Sequence, residues 1–244
     1  MAPAIDIFVR TYFRDFRWLS LSLLSILKFV EGYRRIVIVM PESSYQRLRG
    51  GEIPASARTA IFRCDEYADD YIGQQIGKLN ADLFTDARFI VHLDSDCIFQ
   101  TPCPLPTTMI DEGLPVIRVL EHSRRPQDDG WRRCISDFYG ERLPFDVLVP
   151  PPFIYGRDLY ARLRDHCRSR HRVTLDDWAL SRRLDNMSEF GLLAAHAWFF
   201  HRREYRWNAA DGETAWPCRA YWSRSPEATS LQSKLALHLG YPCR

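Results

Sequence analysis

The sequence predicts an α/β fold in which a doubly wound sheet is flanked by helices on both faces. Strand-like and helix-like segments alternate through the first part of the chain. The run RRIVIVMP, residues 34–41, is almost continuously apolar and β-branched, which is typical of a parallel strand buried on both faces. A length of 244 residues, 46% of them hydrophobic, is enough for a sizeable core in one domain.

Each element of the first half has its own signal. The segment AIDIFVR predicts a first strand at 5–9, and the apolar positions of 18–30 fit one face of a core-packed helix. The remaining elements of this half are predicted as strands at 34–41 and 58–63, a helix at 71–84 and a fourth strand at 88–94. This alternation is typical of parallel strands that are joined by helices.

The character of the sequence changes after Phe99 with QTPCPLP, a loop that three prolines make rigid. The elements of the second half follow this loop. They are predicted as strands at 113–120 and 145–156, the latter with a proline break, and helices at 129–140, 157–170, 174–184 and 188–202. Residues 205–244 have little periodicity. Because no repeat or low-complexity linker divides the chain, we expect one domain, 1–244, whose halves are 1–103 and, with a C-terminal tail, 104–244.

The composition argues against several classes of protein. A net charge of +2 is too balanced to indicate a nucleic-acid partner. Seven scattered cysteines without a C-x-x-C pair argue against a disulfide framework and for a reducing compartment. Asp6 and Arg10 interrupt the first apolar residues, so no signal peptide is predicted, and the apolar stretch 18–30 is too short to cross a bilayer. We therefore expect a soluble, cytoplasmic protein without a transmembrane segment.

Two carboxylates follow the fourth strand in RFIVHLDSDCIF, where only Ser95 separates Asp94 from Asp96. Like charges at this spacing repel each other unless a cation or a shared proton relieves them. Ligands of open α/β sheets bind outside the carboxyl ends of the strands, which is where this pair lies. Mg²⁺ and Mn²⁺ prefer carboxylate oxygens and are usually shared with substrate phosphates. The pair therefore predicts a metal–diphosphate site, with an incidental acidic loop as the alternative.

Four segments resemble GT-A glycosyltransferases in content and order: IDIFVRTYFRDF, YIGQQIGKLNADLF, FIVHLDSDCIF and SEFGLL. The similarity spans roughly residues 5–200 and is greatest to a bacterial and viral branch with a Q-Q-x-x-K-L helix ahead of the D-x-D strand. The resemblance implies a doubly wound, Rossmann-like GT-A sheet that is mixed, with parallel and antiparallel strands. It also implies a metal-dependent enzyme that uses Mn²⁺ or Mg²⁺. Such an enzyme moves sugar from a nucleotide-diphosphate donor, a UDP- or GDP-sugar, to a hydroxyl of a glycan or glycoconjugate acceptor.

The resemblance also implies donor-binding roles for particular residues. Those near the nucleotide base or ribose are Val9, Arg10, Thr11 and Asp65. Gln75 and Lys78, at i and i+3, share one helical face, from which Lys78 would reach the diphosphate or the sugar. The alternative for the residues near the base or ribose is an ordinary surface loop. The alternative for Gln75 and Lys78 is a solvated helix face.

For the D-x-D segment, the resemblance implies that Asp94 contacts the ribose or the metal and that Ser95 assists through its backbone. Asp96 would hold the metal against the diphosphate. The third metal ligand often comes from the C-terminal region, where His201, Asp211 and His238 are candidates. His92 alternates away from the ligand side of its strand, so we expect it to be a packed core residue.

We expect inversion at the transferred sugar, which requires a carboxylate base because an acceptor hydroxyl has a high pKa. Two acidic residues open helices, where the helix dipole stabilises a negative charge: Asp177 and Glu189. Asp177 also fits a capping role behind Thr174. We favour Glu189, which follows the N-cap residue Ser188 and lies in the S-E-aromatic-Gly pattern of the branch. A retaining enzyme without a dedicated base is the alternative.

Two other functions are compatible with this fold class. A sugar nucleotidyltransferase pairs a nucleotide site with a sugar site, but usually has a Gly-rich, basic loop after its first strand, and FVRTYFRDF contains no glycine. A non-catalytic nucleotide- or carbohydrate-binding module is the second alternative, although the D-x-D is retained here. The aromatic residues that could stack on sugars, or simply pack in the core, are Trp131, Tyr155, Trp178 and Trp222.

Overall fold

The central sheet contains five strands in the computed structural model, which describes residues 4–54, 56–122, 129–147, 149–182, 187–210, 216–221 and 228–240. The strands are β1 (Ile5–Arg10), β2 (Val30–Glu31), β3 (Arg35–Pro41), β4 (Thr59–Cys64), β5 (Phe89–Leu93), β6 (Cys97–Phe99), β7 (Cys103–Pro104), β8 (Ile110–Asp111), β9 (Leu114–Val119), β10 (Phe153–Gly156), β11 (Arg206–Ala209) and β12 (Cys218–Ala220). The helices are α1 (Phe16–Phe29), α2 (Glu42–Tyr45), α3 (Asp70–Leu79), α4 (Leu105–Thr108), α5 (Asp129–Tyr139), α6 (Asp158–His171), α7 (Leu175–Ser181), α8 (Glu189–His201) and α9 (Ala228–His238).

The order of strands in the central sheet is β10-β5-β1-β3-β4. Strand β1 pairs in parallel with both β3 and β5, whereas β10 runs antiparallel to β5. The chain thus moves outward from β1 in one direction through β3 and β4, and in the other direction through β5. The gap between the carboxyl ends of β1 and β5 is therefore a topological switch point, where open α/β sheets bind ligands. The predicted mixed, doubly wound sheet is confirmed.

Alternate residues of the central strands enter two separate cores. Phe8, Val37 and Ile90 pack on one face of the sheet, in a cluster that also contains residues of α3 and of α5 to α8. Ile7 and Ile38 are in the cluster on the opposite face, with residues of α1. Burial on both faces explains why these strands read as continuous apolar runs.

The structure differs from the sequence prediction in several places. The strand predicted at 145–156 is confined to β10, Phe153–Gly156. The helix predicted at 71–84 ends at Leu79 and is followed by a 3-10 turn at Ala81–Leu83. The C-terminal region, which lacks periodicity, contributes β11 alongside β9, β12 antiparallel to β6, and α9 against α1. Strands of three or four residues are too short to show a period, which explains why they were not predicted.

The part of the chain that the structure describes contains six cysteines, all free thiols. No helix within those same residues has the length and apolar content needed to cross a membrane.

Asp6 fixes the amino end of the central sheet. Its side chain is fully buried and accepts hydrogen bonds from Arg34 Nε (2.9 Å), Arg35 Nε (2.8 Å) and the Thr85 hydroxyl. Burial alone raises the pKa of Asp6, but the hydrogen bonds from Arg34, Thr85 and Arg35 outweigh it and hold the pKa below its ordinary value. One ionised carboxylate therefore links β1 to the start of β3 and to the loop before β5.

Asp6→Asn is expected to lower the free energy of unfolding at neutral pH by about 2 kcal/mol, the scale of hydrogen bonds to a charged group. Because the folded pKa lies below the unfolded value of about 3.9, this stabilisation is present above that pH and is lost as the pH falls. Urea denaturation at neutral and acidic pH measures the difference, which should shrink in acid. Asp86→Asn is the control, since exposed Asp86 bonds the same Arg34 and should matter little. Equal losses in both variants would contradict this assignment.

Candidate active site

The loops that leave β1 and β5 meet at the switch point. Ser95, in the loop after β5, donates a hydrogen bond from its hydroxyl to Thr11 Oγ1 at 2.8 Å, and both residues are buried. The Thr11 N–H donates to the carbonyl of Val39 at the end of β3. These bonds fix the position of the D-x-D segment relative to the end of the first strand.

Asp94 and Asp96 are half-buried and lie beside Cys97, with one ligand atom of each residue within 4.8 Å of the others. Among the described residues, no other group of three His, Cys, Asp or Glu side chains comes as close. The Cys97 thiol contacts that of Cys218, and this hydrogen bond, together with burial, raises the pKa of Cys97 well above its ordinary value. A hard divalent cation prefers oxygen donors, and the two carboxylates supply them. The residues present therefore fit Mn²⁺ or Mg²⁺.

Lys78 connects this carboxylate pair to the second half of the chain. Its ammonium donates to Asp94 Oδ1 and to Glu189 Oε1, the latter at 2.7 Å, although only 3% of the Lys78 side chain is exposed. Burial alone lowers the pKa of Lys78, but the charges of Asp94 and Glu189 outweigh it and raise the pKa above its ordinary value. A charged ammonium is thus buried between two carboxylates that are 95 residues apart in sequence (189 − 94).

The ring of Phe190 completes the surroundings of Lys78. The Lys78 Nζ lies 4.8 Å from the centre of this ring, at a cation–π distance. The same ring stacks on Phe153 at the start of β10, with 4.0 Å between ring centres. Phe190 was not predicted as a site residue, although the S-E-aromatic-Gly pattern contained the signal for it.

Two glycines allow α3 to lie close over the end of β1. A Cβ at Gly73 would lie 2.9 Å from the ring of Tyr67, and one at Gly77 would lie 3.2 Å from Arg10 Cδ. Arg10 is almost wholly buried against this helix, where its Nη2 donates to Asp70 Oδ1 at 2.8 Å. Its Nη1 donates to the Thr11 carbonyl. Arg10 therefore binds the helix to the loop and does not project into solvent.

Gln75 lies one turn before Lys78 and joins the same two elements. Its Nε2 donates to the carbonyl of Met187 at 2.8 Å, immediately before the N-cap residue Ser188 of α8. Gln75 Oε1 is buried and accepts no hydrogen bond from the residues described. Because Gln75 and Lys78 are both buried, neither belongs to a solvated helix face. The Q-Q-x-x-K-L segment instead holds the start of α8 against the D-x-D.

Other predicted site residues lie away from this ion-pair cluster. Asp177 is exposed at the start of α7, where its carboxylate accepts from the Thr174 hydroxyl at 2.7 Å and its N–H donates to the same oxygen. Thr174 Oγ1, which accepts from the Asp177 N–H, thus caps the start of α7. Asp65 is exposed beyond the end of β4, and the described residues make no hydrogen bond or ion pair with it.

The remaining candidates fall into three groups. His92 is fully buried with Nε2 beside the Tyr160 hydroxyl, and burial followed by the charge of Lys78 lowers its pKa, as fits a core residue. The two histidines that were candidates for a third metal ligand contact other groups. His201 Nδ1 lies 3.1 Å from Glu204 Oε1, and the backbone carbonyl of His238 accepts a hydrogen bond from Lys28 Nζ. Buried in the core are Tyr155 and Trp178, whereas Asp211 and Trp222 lie outside the described residues.

Comparison with known proteins supports the fold. No protein-family model matches the chain, and no curated protein matches its sequence. Among solved structures, that of an active-site mutant of LgtC, a glycosyltransferase, is similar over 96% of this chain and 95% of that chain. The sequence identity is 11% and the TM-score is 0.57. This likeness shows that the chain has the GT-A fold.

Lys78→Met is expected to lower the free energy of unfolding by about 3 kcal/mol, because it leaves Glu189 buried without its counter-charge. The double variant Lys78→Met/Glu189→Gln should recover part of that loss, since it removes the unpaired charge. Urea denaturation of the three proteins measures both effects. Lys28→Met, at an exposed lysine of α1, is the control and should change stability little. Wild-type stability of Lys78→Met would contradict the buried ion pair.

Proposed function

We propose that this protein is a metal-dependent glycosyltransferase that moves a sugar from a nucleotide-diphosphate donor to a hydroxyl of a glycan or glycoconjugate acceptor. The observation that carries the proposal is the bridge from Asp94 through Lys78 to Glu189, at the switch point of a GT-A fold. It joins a carboxylate pair suited to a cation with a third carboxylate that opens a helix of the second half.

The donor, a UDP- or GDP-sugar, would lie outside the carboxyl ends of β1, β4 and β5. Thr11 and Asp65 are the residues that we assign to the base and ribose, with Ser95 fixing the loop between the two aspartates. Arg10 acts through Thr11, since it is buried beneath α3 and bonds the Thr11 carbonyl. In this proposal, residues 1–103 bind the donor and residues 104–244 bind the acceptor.

Asp94 and Asp96 are the residues that would hold Mn²⁺ or Mg²⁺. A bound divalent cation neutralises the charge of a nucleoside diphosphate, which makes it a better leaving group. Lys78 is then a positioning residue, because its ammonium is already shared between Asp94 and Glu189 and its side chain is buried. Gln75 supports the same contact from the neighbouring turn of α3.

Glu189 is the residue that we assign as general base. Lys78 holds Oε1 in place, which leaves Oε2 to accept the proton of the acceptor hydroxyl. The acceptor oxygen would then form a bond to the anomeric carbon on the face opposite the nucleoside diphosphate while the bond to the diphosphate breaks, which gives inversion. Asp177 is the weaker candidate, because its carboxylate is exposed and bonded to the hydroxyl that caps α7.

Asp96→Asn is expected to remove the Mn²⁺-dependent part of nucleotide binding, because it halves the carboxylate charge offered to the cation. A thermal-shift titration of UDP and GDP, with Mn²⁺ and with EDTA, measures this as a loss of the nucleotide-induced rise in Tm. Asp86→Asn is the matched control, because Asp86 is an exposed aspartate at the amino end of β5, away from the D-x-D. An Asp96→Asn protein that still binds nucleotide in a Mn²⁺-dependent way would contradict the metal assignment.

Glu189→Gln keeps the shape of the side chain and removes its basicity. We expect nucleotide-sugar binding to survive and turnover to fall by about two orders of magnitude or more, the usual scale for a general base. Asp177→Asn should retain turnover and serves as the comparison, with circular dichroism confirming that both variants fold. Normal turnover in Glu189→Gln together with an inactive Asp177→Asn would move the base to Asp177. Donor binding without turnover in the wild type would indicate a non-catalytic module.

A further inference from the structure

Trp131 has a different environment from the other described tryptophans. It is half-buried but packs in none of the hydrophobic clusters that the described residues form, and no described group bonds its indole N–H. The tryptophans that do belong to or pack against those clusters are Trp18, Trp178, Trp198, Trp207 and Trp216. Trp131 instead lines a cavity of about 540 Å³ between α5 and the segment 142–147. A large aromatic ring is thus left facing an open volume.

The described lining of this cavity contains more arginines than acidic residues. Asp146 is bonded to Arg132, with 2.8 Å between Nε and Oδ1, and Asp137 pairs with Arg182. Two further arginines of the lining, at positions 133 and 142, are exposed and form no ion pair with any described residue. Both described acids of the lining are therefore paired, whereas Arg133 and Arg142 have no described carboxylate partner and can donate to an anion.

One residue of the cavity lining, Ile135, contacts the helix that carries Glu189. This side chain lines the cavity and also packs on the first turn of α8, where a Cβ at Gly191 would lie 3.0 Å from Ile135 Cδ1. Gly191 is two residues beyond Glu189. One wall of the cavity is therefore in contact with the helix turn that carries the proposed base.

The chemistry of this lining suits one class of ligand. An indole ring packs against the C–H face of a sugar ring, and guanidinium groups form charge-assisted, often bidentate, hydrogen bonds with carboxylate or phosphate. We propose that the cavity binds a saccharide that carries an anionic group, held by Trp131 and Arg142. That this saccharide is the acceptor rests on the proposed function.

Direct binding tests the proposal without donor or metal. Methyl glucuronide, glucose 6-phosphate and methyl glucoside are titrated into the full chain and followed by NMR. We expect binding of one or both anionic sugars, with the comparison between them identifying carboxylate or phosphate, and binding of the neutral glucoside at least about tenfold weaker. Trp131→Ala and Arg142→Ala should each weaken binding of the anionic sugar about tenfold or more, whereas Arg17→Ala, at an exposed arginine of α1, should not.

Equal affinity for the neutral and anionic sugars, no binding of any of the three, or unchanged affinity in Arg142→Ala would overturn the assignment. These outcomes are separate from failure of the proposed function. Mn²⁺-dependent nucleotide binding is measured in the same variants and should be unchanged by Arg142→Ala. Cavity binding in a protein that transfers no sugar would leave the cavity assignment standing and reject only its role as the acceptor site.

Discussion

The buried ammonium of Lys78 is the interaction on which the arrangement of the site depends. Removing a charge from water costs several kcal/mol, so a lysine that remains charged when buried needs carboxylates close to it. Asp94 and Glu189 do so here, and they come from a loop at the sheet edge and from the first turn of α8. One cation therefore joins three elements: α3, the loop after β5 and the first turn of α8.

Several local features allow α3 to pack against the carboxyl end of β1, beside the switch point. Gly73 and Gly77 remove side chains where the helix meets Tyr67 and Arg10, and the N-cap residue Asp69 starts the helix by accepting from the Tyr71 N–H. With the helix in that position, Gln75 bonds the carbonyl of Met187, just before α8, and Lys78 bonds Glu189 in its first turn. Arg10, Gln75 and Lys78, which the resemblance assigns to donor binding, therefore bond to other groups of the protein. We interpret them as residues that support the site rather than residues that contact a donor.

The sequence contained enough information for the sheet and for the position of the D-x-D. Apolar runs showed the buried strands, and the acidic pair followed one of them at the carboxyl edge, where ligands bind. The partners of Lys78 could not be predicted, because the contact between α3 and α8 joins residues 111 positions apart and leaves no local period. Glu189 and Asp177 look alike in sequence, since each opens a helix behind a hydroxyl residue. Only the tertiary contacts distinguish the buried, ion-paired carboxylate from the exposed capping one.

The most direct test of the account is the release of nucleoside diphosphate from UDP- and GDP-sugars by the purified chain, measured with Mn²⁺ and again with EDTA. Water can take the place of the acceptor hydroxyl, so that the sugar passes to water and the nucleoside diphosphate is released. The measurement therefore needs no knowledge of the acceptor. The account predicts release from at least one donor with Mn²⁺, and loss of that release in EDTA and in Asp96→Asn. Release at the same rate in EDTA would contradict the metal-dependent mechanism, and absence of release from every donor would contradict glycosyl transfer at this site.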